Sequence, residues 1–68
     1  MSVARVTEII SSSSVSFEDA TKQGIDRASK TLKNVKGAWV EGQKVVCDDK
    51  GNITEYRVNL KVTFILAD

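Results

Sequence analysis

The sequence predicts an α+β domain with the element order β-α-β-β, in which three strands form a sheet and one helix covers its apolar face. Two periodicities support this fold class. Residues 17–33 repeat apolar side chains at helical spacing, and residues 56–66 alternate apolar and polar side chains as a strand does. Because 68 residues suffice for one domain only, residues 1–68 are assigned to a single unit.

The first strand and the helix follow from local composition. Residues 3–10 are rich in β-branched side chains and predict the first strand. Ser16 is a suitable N-cap for a helix over residues 17–33, and Asn34 suits the left-handed conformation that ends many helices. The apolar stripe of this helix consists of Phe17, Ala20, Gly24, Ile25, Ala28 and Leu32.

The second strand is predicted over residues 38–47, with a β-bulge at Gly42. Residues 48–52 form a tight turn before the third strand. Alternation on the second strand predicts one face with Gly37, Trp39, Glu41 and Gln43, and the other, towards the helix, with Ala38, Val40 and Gly42. The third-strand residues predicted to face the helix are Tyr56, Val58, Leu60, Val62, Phe64 and Leu66.

The third strand is long for so small a domain. At strand spacing it spans about 45 Å, whereas a compact domain of this length is only about 28 Å across. The strand must therefore curve around the helix or extend towards a neighbouring subunit. Either arrangement predicts a homo-oligomer.

Composition argues against several classes of partner. The 10 basic and 9 acidic residues give a net charge of +1, which is unlike the basic surface of a nucleic-acid-binding protein. No apolar run approaches the length of a membrane span. We therefore expect neither a nucleic acid nor a membrane as partner.

The side chains that most catalytic and zinc sites use are also scarce. The sequence has no histidine, and Cys47 is its one cysteine. A Ser-His or Cys-His pair is thus impossible, and a zinc site would lack ligands. We expect no enzyme activity and no metal site. A lone cysteine without a signal-peptide pattern predicts a cytoplasmic protein.

Trp39 is the one tryptophan, and it is predicted on the sheet face away from the helix, near Arg57, Asn59 and Lys61. Two interpretations are open. An indole beside hydrogen-bonding groups forms a stacking platform for a flat polar aromatic ligand. Tryptophan is also enriched in subunit interfaces, where it would contact a second copy of the chain.

Three stretches, "VARVTEIISSS", "SFEDATKQGIDRASKTLKNV" and "EYRVNLKVTFIL", together resemble the dodecin family over nearly the whole chain. The resemblance implies a curved three-stranded antiparallel sheet wrapped around one helix, with twelve subunits in a hollow sphere. It also implies a protein that stores or sequesters a flavin, FMN or riboflavin, without catalysing a reaction on it.

Two positions depart from the family pattern. In dodecins a tryptophan at the start of the second strand stacks on the flavin, and a glutamine after the tyrosine of the third strand bonds to the polar edge of the ring. Here these positions hold Gly37 and Arg57, with Trp39 two residues after the first. The resemblance then places Trp39 against the ring with Gly37 beside it, Arg57 and Gln43 at the polar edge, and Lys44 at the ribityl or phosphate end.

Other ligands follow from the same resemblance. Some dodecins hold a phosphate-bearing compound such as coenzyme A, and some relatives bind calcium. The positions that match the phosphate-type site are Arg5, Arg27, Thr31 and Lys33. The alternative is a dodecin-fold cage without flavin, in which Trp39 packs against a symmetry mate and Arg57 pairs with Glu41 or Glu55.

Overall fold

The computed structural model describes residues 2–66 and confirms the predicted element order. Its elements are β1 (Ala4–Ser13), α1 (Phe17–Thr31), β2 (Val35–Cys47) and β3 (Ile53–Ile65). β1 continues into the serine run beyond residue 10, and β2 begins before residue 38. Both added segments pair with β3, so pairing between strands extends them further than local composition predicts.

Local hydrogen bonds set the limits of α1. The Asp19 N–H donates to Ser16 Oγ at 2.9 Å, which confirms the predicted N-cap. At the other end the Leu32 N–H donates to the Ala28 carbonyl at 2.8 Å. Asn34 has a φ of 60°, the left-handed conformation predicted for it, and the chain passes from there into β2. No helix in the described residues has the length and apolar character that a membrane span requires.

The core lies between α1 and the centre of the sheet. The strand order is β1-β3-β2 with antiparallel neighbours, so β3 is the middle strand. Gly24 allows the helix to approach closely, since a Cβ there would lie 2.8 Å from Leu60 Cδ1. Leu66, the last of the residues predicted to face the helix, lies beyond the end of β3 and is 43% exposed. The buried apolar residues are Ala20, Ala28, Val58, Leu60 and Val62.

A β-bulge in β2 lies where Gly42 predicts one. Val40 pairs with Leu60 and Gly42 pairs with Asn59, so Glu41 is an inserted residue. The insertion shifts the alternation of every later residue in β2. Gly42, predicted to face the helix, therefore lies on the face of the sheet away from α1, which we call the open face.

The described chain is elongated. Its principal extents are 52 × 19 × 14 Å and its radius of gyration is 13.9 Å, whereas a compact chain of this length has about 11 Å. Its accessible surface is 5079 Å², against about 4,200 Å² for a monomer of this mass. α1 spans about 22 Å and β3 about 44 Å, so the helix covers roughly half the length of the sheet.

Candidate functional site

Trp39 projects from the open face and is 61% exposed. It pairs across the sheet with Lys61. Its neighbours along the open face of β2 are Gly37 and Gly42, and a Cβ at either would meet no atom within 4 Å. The face beside the indole therefore carries no side chain at these two positions, and the carboxylate of the inserted Glu41 lies near Lys61. The cavity on the Gly37 side has a volume of about 330 Å³ and is lined by Lys36, Gly37, Ala38, Trp39 and Thr63.

Three rows of paired residues follow one another along the open face. They are Trp39 with Lys61, Gly42 with Asn59, and Lys44 with Arg57. Successive rows are about 7 Å apart, which places the Lys44–Arg57 row about 14 Å from the tryptophan. A second cavity, of about 290 Å³, lies beside the glycine of the middle row and is lined by Ile10, Gly42, Gln43, Lys44, Arg57, Val58 and Asn59.

Gln43 is not on this face. It was predicted to share the face of Trp39, but it pairs with the buried Val58 and therefore lies on the helix side of the sheet. The physical reason is the inserted Glu41, which reverses the alternation after it. Of the predicted flavin-binding residues, the open face brings together Gly37, Trp39, Lys44 and Arg57.

The charged groups of the open face are partly paired. Arg57 donates to Glu55 through Nε–Oε1 and Nη2–Oε2 contacts of 3.3 Å each. This arginine, followed by a hydrogen bond from the Ser12 side chain, holds the pKa of the Glu55 carboxyl below its ordinary value. Lys61 Nζ lies 3.4 Å from Glu41 Oε1. Lys44 makes no salt bridge with any carboxylate in residues 2–66.

Asn59 occupies the middle of the open face, and only one of the two polar atoms of its side-chain amide has a hydrogen-bond partner. Its Nδ2 donates to Glu8 Oε1 at 3.2 Å. Its Oδ1 is buried and has no hydrogen-bond partner among residues 2–66. The alternation of β3 predicts which face Asn59 occupies. No sequence signal shows that its oxygen is left unpaired, because that depends on neighbours from β1 and β2.

The predicted phosphate-type residues do not form one site in a single subunit. Arg27 and Thr31 both line a cavity of about 640 Å³ between β1 and α1. Lys33 joins Thr31 at a different cavity, of about 530 Å³, past the end of the helix. Arg5 pairs with Phe64 on the helix side of the sheet and lines neither cavity.

The 48–52 turn is held together by one carboxylate. Asp48 Oδ1 accepts from the backbone N–H groups of Lys50 at 2.8 Å and Asn52 at 2.9 Å. These two bonds, led by that from Asn52, lower the pKa of the Asp48 carboxyl. Gly51 has a φ of 82°, as the tight turn requires. Among residues 2–66, no three His, Cys, Asp or Glu side chains lie close enough together to hold a metal ion.

Comparison with known proteins identifies relatives over nearly the whole chain. The family model described as Dodecin matches residues 3–67. The calcium dodecin of Mycobacterium tuberculosis is 38% identical over 64 residues, which cover 94% of this chain and 89% of that protein.

Solved structures agree with this result. The dodecin from Streptomyces davaonensis is 34% identical, with a TM-score of 0.93 over 98% of this chain and 97% of that one. The crystal structure of the Mycobacterium tuberculosis calcium dodecin, described as having a novel calcium-binding site, is 32% identical. Its TM-score is 0.83 over 96% of this chain and 91% of that one. Both share the β-α-β-β architecture of this chain.

Proposed function

Because the chain belongs to the dodecin family, we propose that it is a non-catalytic, cytoplasmic binding protein that stores or sequesters a flavin, FMN or riboflavin, within a homo-oligomer. The observation that carries this proposal is Trp39, which is 61% exposed between two glycines. An exposed indole flanked by residues without side chains is suited to stacking against a flat ring.

The polar contacts of the ligand follow from the rows of the open face. A ring on Trp39 extends towards Arg57 with its polar edge, and Lys44, opposite Arg57, is placed to meet a phosphate. Gln43 contributes from the same subunit only through the opposite face of the sheet. It nevertheless borders the cavity of about 290 Å³ beside Gly42.

Oligomerisation is supported by the surface that one subunit leaves uncovered. Large apolar side chains are exposed on both sides of the sheet: Val6 is 45%, Ile10 73% and Val40 48% exposed. β1 and β2 are both edge strands, with backbone groups available for pairing. A dodecamer, as the family resemblance implies, would cover such surface.

The first experiment is a fluorescence titration of FMN and riboflavin with the purified protein, preceded by its visible absorption spectrum. We expect strong quenching of flavin fluorescence at about one flavin per subunit, and loss of quenching in Trp39→Ala. Trp39→Phe retains a ring and should keep part of the binding. Lys22→Gln, an exposed helix substitution, is the control. An unchanged titration in Trp39→Ala would refute the role of the tryptophan.

Calcium is a second candidate ligand, because a relative that is 38% identical is a calcium dodecin. Glu41 and Glu55 are engaged by Lys61 and Arg57, so a site would need carboxylates from more than one subunit. Calorimetric titration of calcium into EDTA-treated protein tests this. Heat of binding without flavin quenching would favour calcium as the ligand.

A cage without flavin is distinguished by the accessibility of Trp39 in the assembled protein. Iodide quenches an exposed indole, whereas a tryptophan packed against a second copy is protected. If added flavin protects Trp39 from quenching by iodide, the result favours the interpretation of Trp39 as a ligand site. A tryptophan already protected before flavin is added favours the subunit interface. Coenzyme A titrated in parallel tests the phosphate-type residues.

A further inference from the structure

The unpaired oxygen of Asn59 calls for a hydrogen-bond donor. Side-chain acceptors buried in folded proteins are nearly always paired with protein or water, so this oxygen is a position where a donor from water or from a ligand is stabilised. The contact from Nδ2 to Glu8, at 3.2 Å, sets the orientation of the amide and leaves Oδ1 as the free acceptor.

The cavity beside Asn59 has the lining of a site for a flat polar ring. Gly42, paired with Asn59, contributes no side chain, and this leaves room next to the amide. Ile10, 73% exposed, provides an apolar wall. Lys44 and Arg57 border the same cavity of about 290 Å³ and bring two cationic donors to it.

The distance between rows fits a ring that is stacked on Trp39. The tryptophan row and the row of Gly42 and Asn59 are about 7 Å apart, and no Cβ fills the space between them at position 42. A ring that covers this gap has its far edge at Asn59, next to the row formed by Lys44 and Arg57.

We propose that Asn59 Oδ1 accepts the imide N–H of a ring stacked on Trp39, while Arg57 donates to a carbonyl oxygen beside that N–H. This assignment rests on the proposed flavin function. An imide edge presents acceptor, donor and acceptor in sequence, whereas guanidinium and ammonium groups are donors only. Asn59 supplies the acceptor that is lost when arginine occupies the glutamine position of other dodecins.

Ligand entry requires movement at the border of the cavity, because Oδ1 is shielded from solvent in the free subunit. The bordering side chains of Lys44 and Arg57 are long, and that of Arg57 is 42% exposed. Their rotation opens a path to the amide and also brings the Arg57 guanidinium onto the ring edge.

The test compares two ring-only flavins, lumiflavin and 3-methyllumiflavin, which differ by a methyl group in place of the imide hydrogen. We expect the wild-type protein to bind lumiflavin about tenfold more tightly, because methylation removes the donor to Asn59. In Asn59→Leu the ratio should fall to within about twofold, as in a double-mutant cycle. Thr54→Val, a change from polar to apolar on the same strand at a residue that does not line this cavity, should keep the wild-type ratio.

Equal binding of the two flavins to the wild-type protein overturns the role of Asn59. So does a tenfold ratio that persists in Asn59→Leu. Both results leave flavin stacking on Trp39 intact. Absence of lumiflavin binding refutes the proposed function itself, and the role of Asn59 with it. The wild-type ratio needs no variant, so the proposal stays testable if Asn59→Leu does not fold, and Asn59→Ser then replaces it.

Discussion

Replacing Gly42 with valine should block the ligand without disturbing the fold. A Cβ at this position meets no atom within 4 Å, and its backbone lies outside the left-handed region, so valine is accommodated. Valine also favours strands over glycine. The branched side chain would fill the gap beside Trp39 and prevent a ring from lying there. Stacking on an aromatic side chain contributes about 1–3 kcal/mol, so affinity should fall about 5- to 150-fold.

The comparison variant is Gly37→Val, which tests the other side of the indole. It adds the same side chain to the same strand face, again with no atom within 4 Å of its Cβ. Flavin fluorescence titration of both variants should show weakened binding for Gly42→Val and near-wild-type binding for Gly37→Val. The reverse order would place the ring on the Gly37 side. Wild-type affinity in both variants would show that the indole is not the stacking surface.

Three further predictions concern stability, measured by urea unfolding at one fixed protein concentration because an oligomer unfolds in a concentration-dependent manner. Ser16→Ala removes the N-cap bond of α1 and should cost about 1 kcal/mol; no change would mean that the helix needs no cap. Gly24→Ala gains about 1 kcal/mol of helix propensity but places a Cβ 2.8 Å from Leu60 Cδ1, and overpacking costs about 1–3 kcal/mol. We expect net destabilisation. A more stable variant would show that the Leu60 side chain moves aside without a cost in free energy. Because Arg57 lowers the pKa of Glu55, their pairing stabilises the fold above the ordinary glutamate pKa, and this contribution is lost as the pH falls through the lowered pKa. Glu55→Gln should therefore lose less stability on acidification than the wild type, and identical pH profiles would contradict the pairing.

The sequence predicts the fold well because its signals are periodic and local. The alternation in β3 identifies Val58, Leu60 and Val62 as core residues, and all three are buried. Small residues in the helix stripe predict a close neighbour, and Gly24 lies against Leu60 as expected. Strand ends are predicted less well, because their extent depends on pairing with β3 and not on their own composition.

The site is predicted only in part. A bulge changes which residues of a strand face each side of the sheet, and residue types alone do not specify this change. Glycine at position 42 predicts a bulge, but which residue is inserted depends on the register with β3. The structure inserts Glu41, and this moves Gln43 off the open face. Asn59 illustrates a second limit, because the burial and pairing of an amide oxygen depend on three strands at once.

The bulge also changes which residues lie next to Trp39 on the open face. Without the inserted residue, Trp39 would be followed on the open face by Glu41 and then Gln43. With it, the following positions are Gly42 and Lys44. One extra residue therefore places Gly42 in line with the indole and a lysine opposite Arg57. Glu41 itself is drawn to Lys61, at 3.4 Å, so the negative charge that would oppose an electron-rich ring edge is neutralised within the sheet.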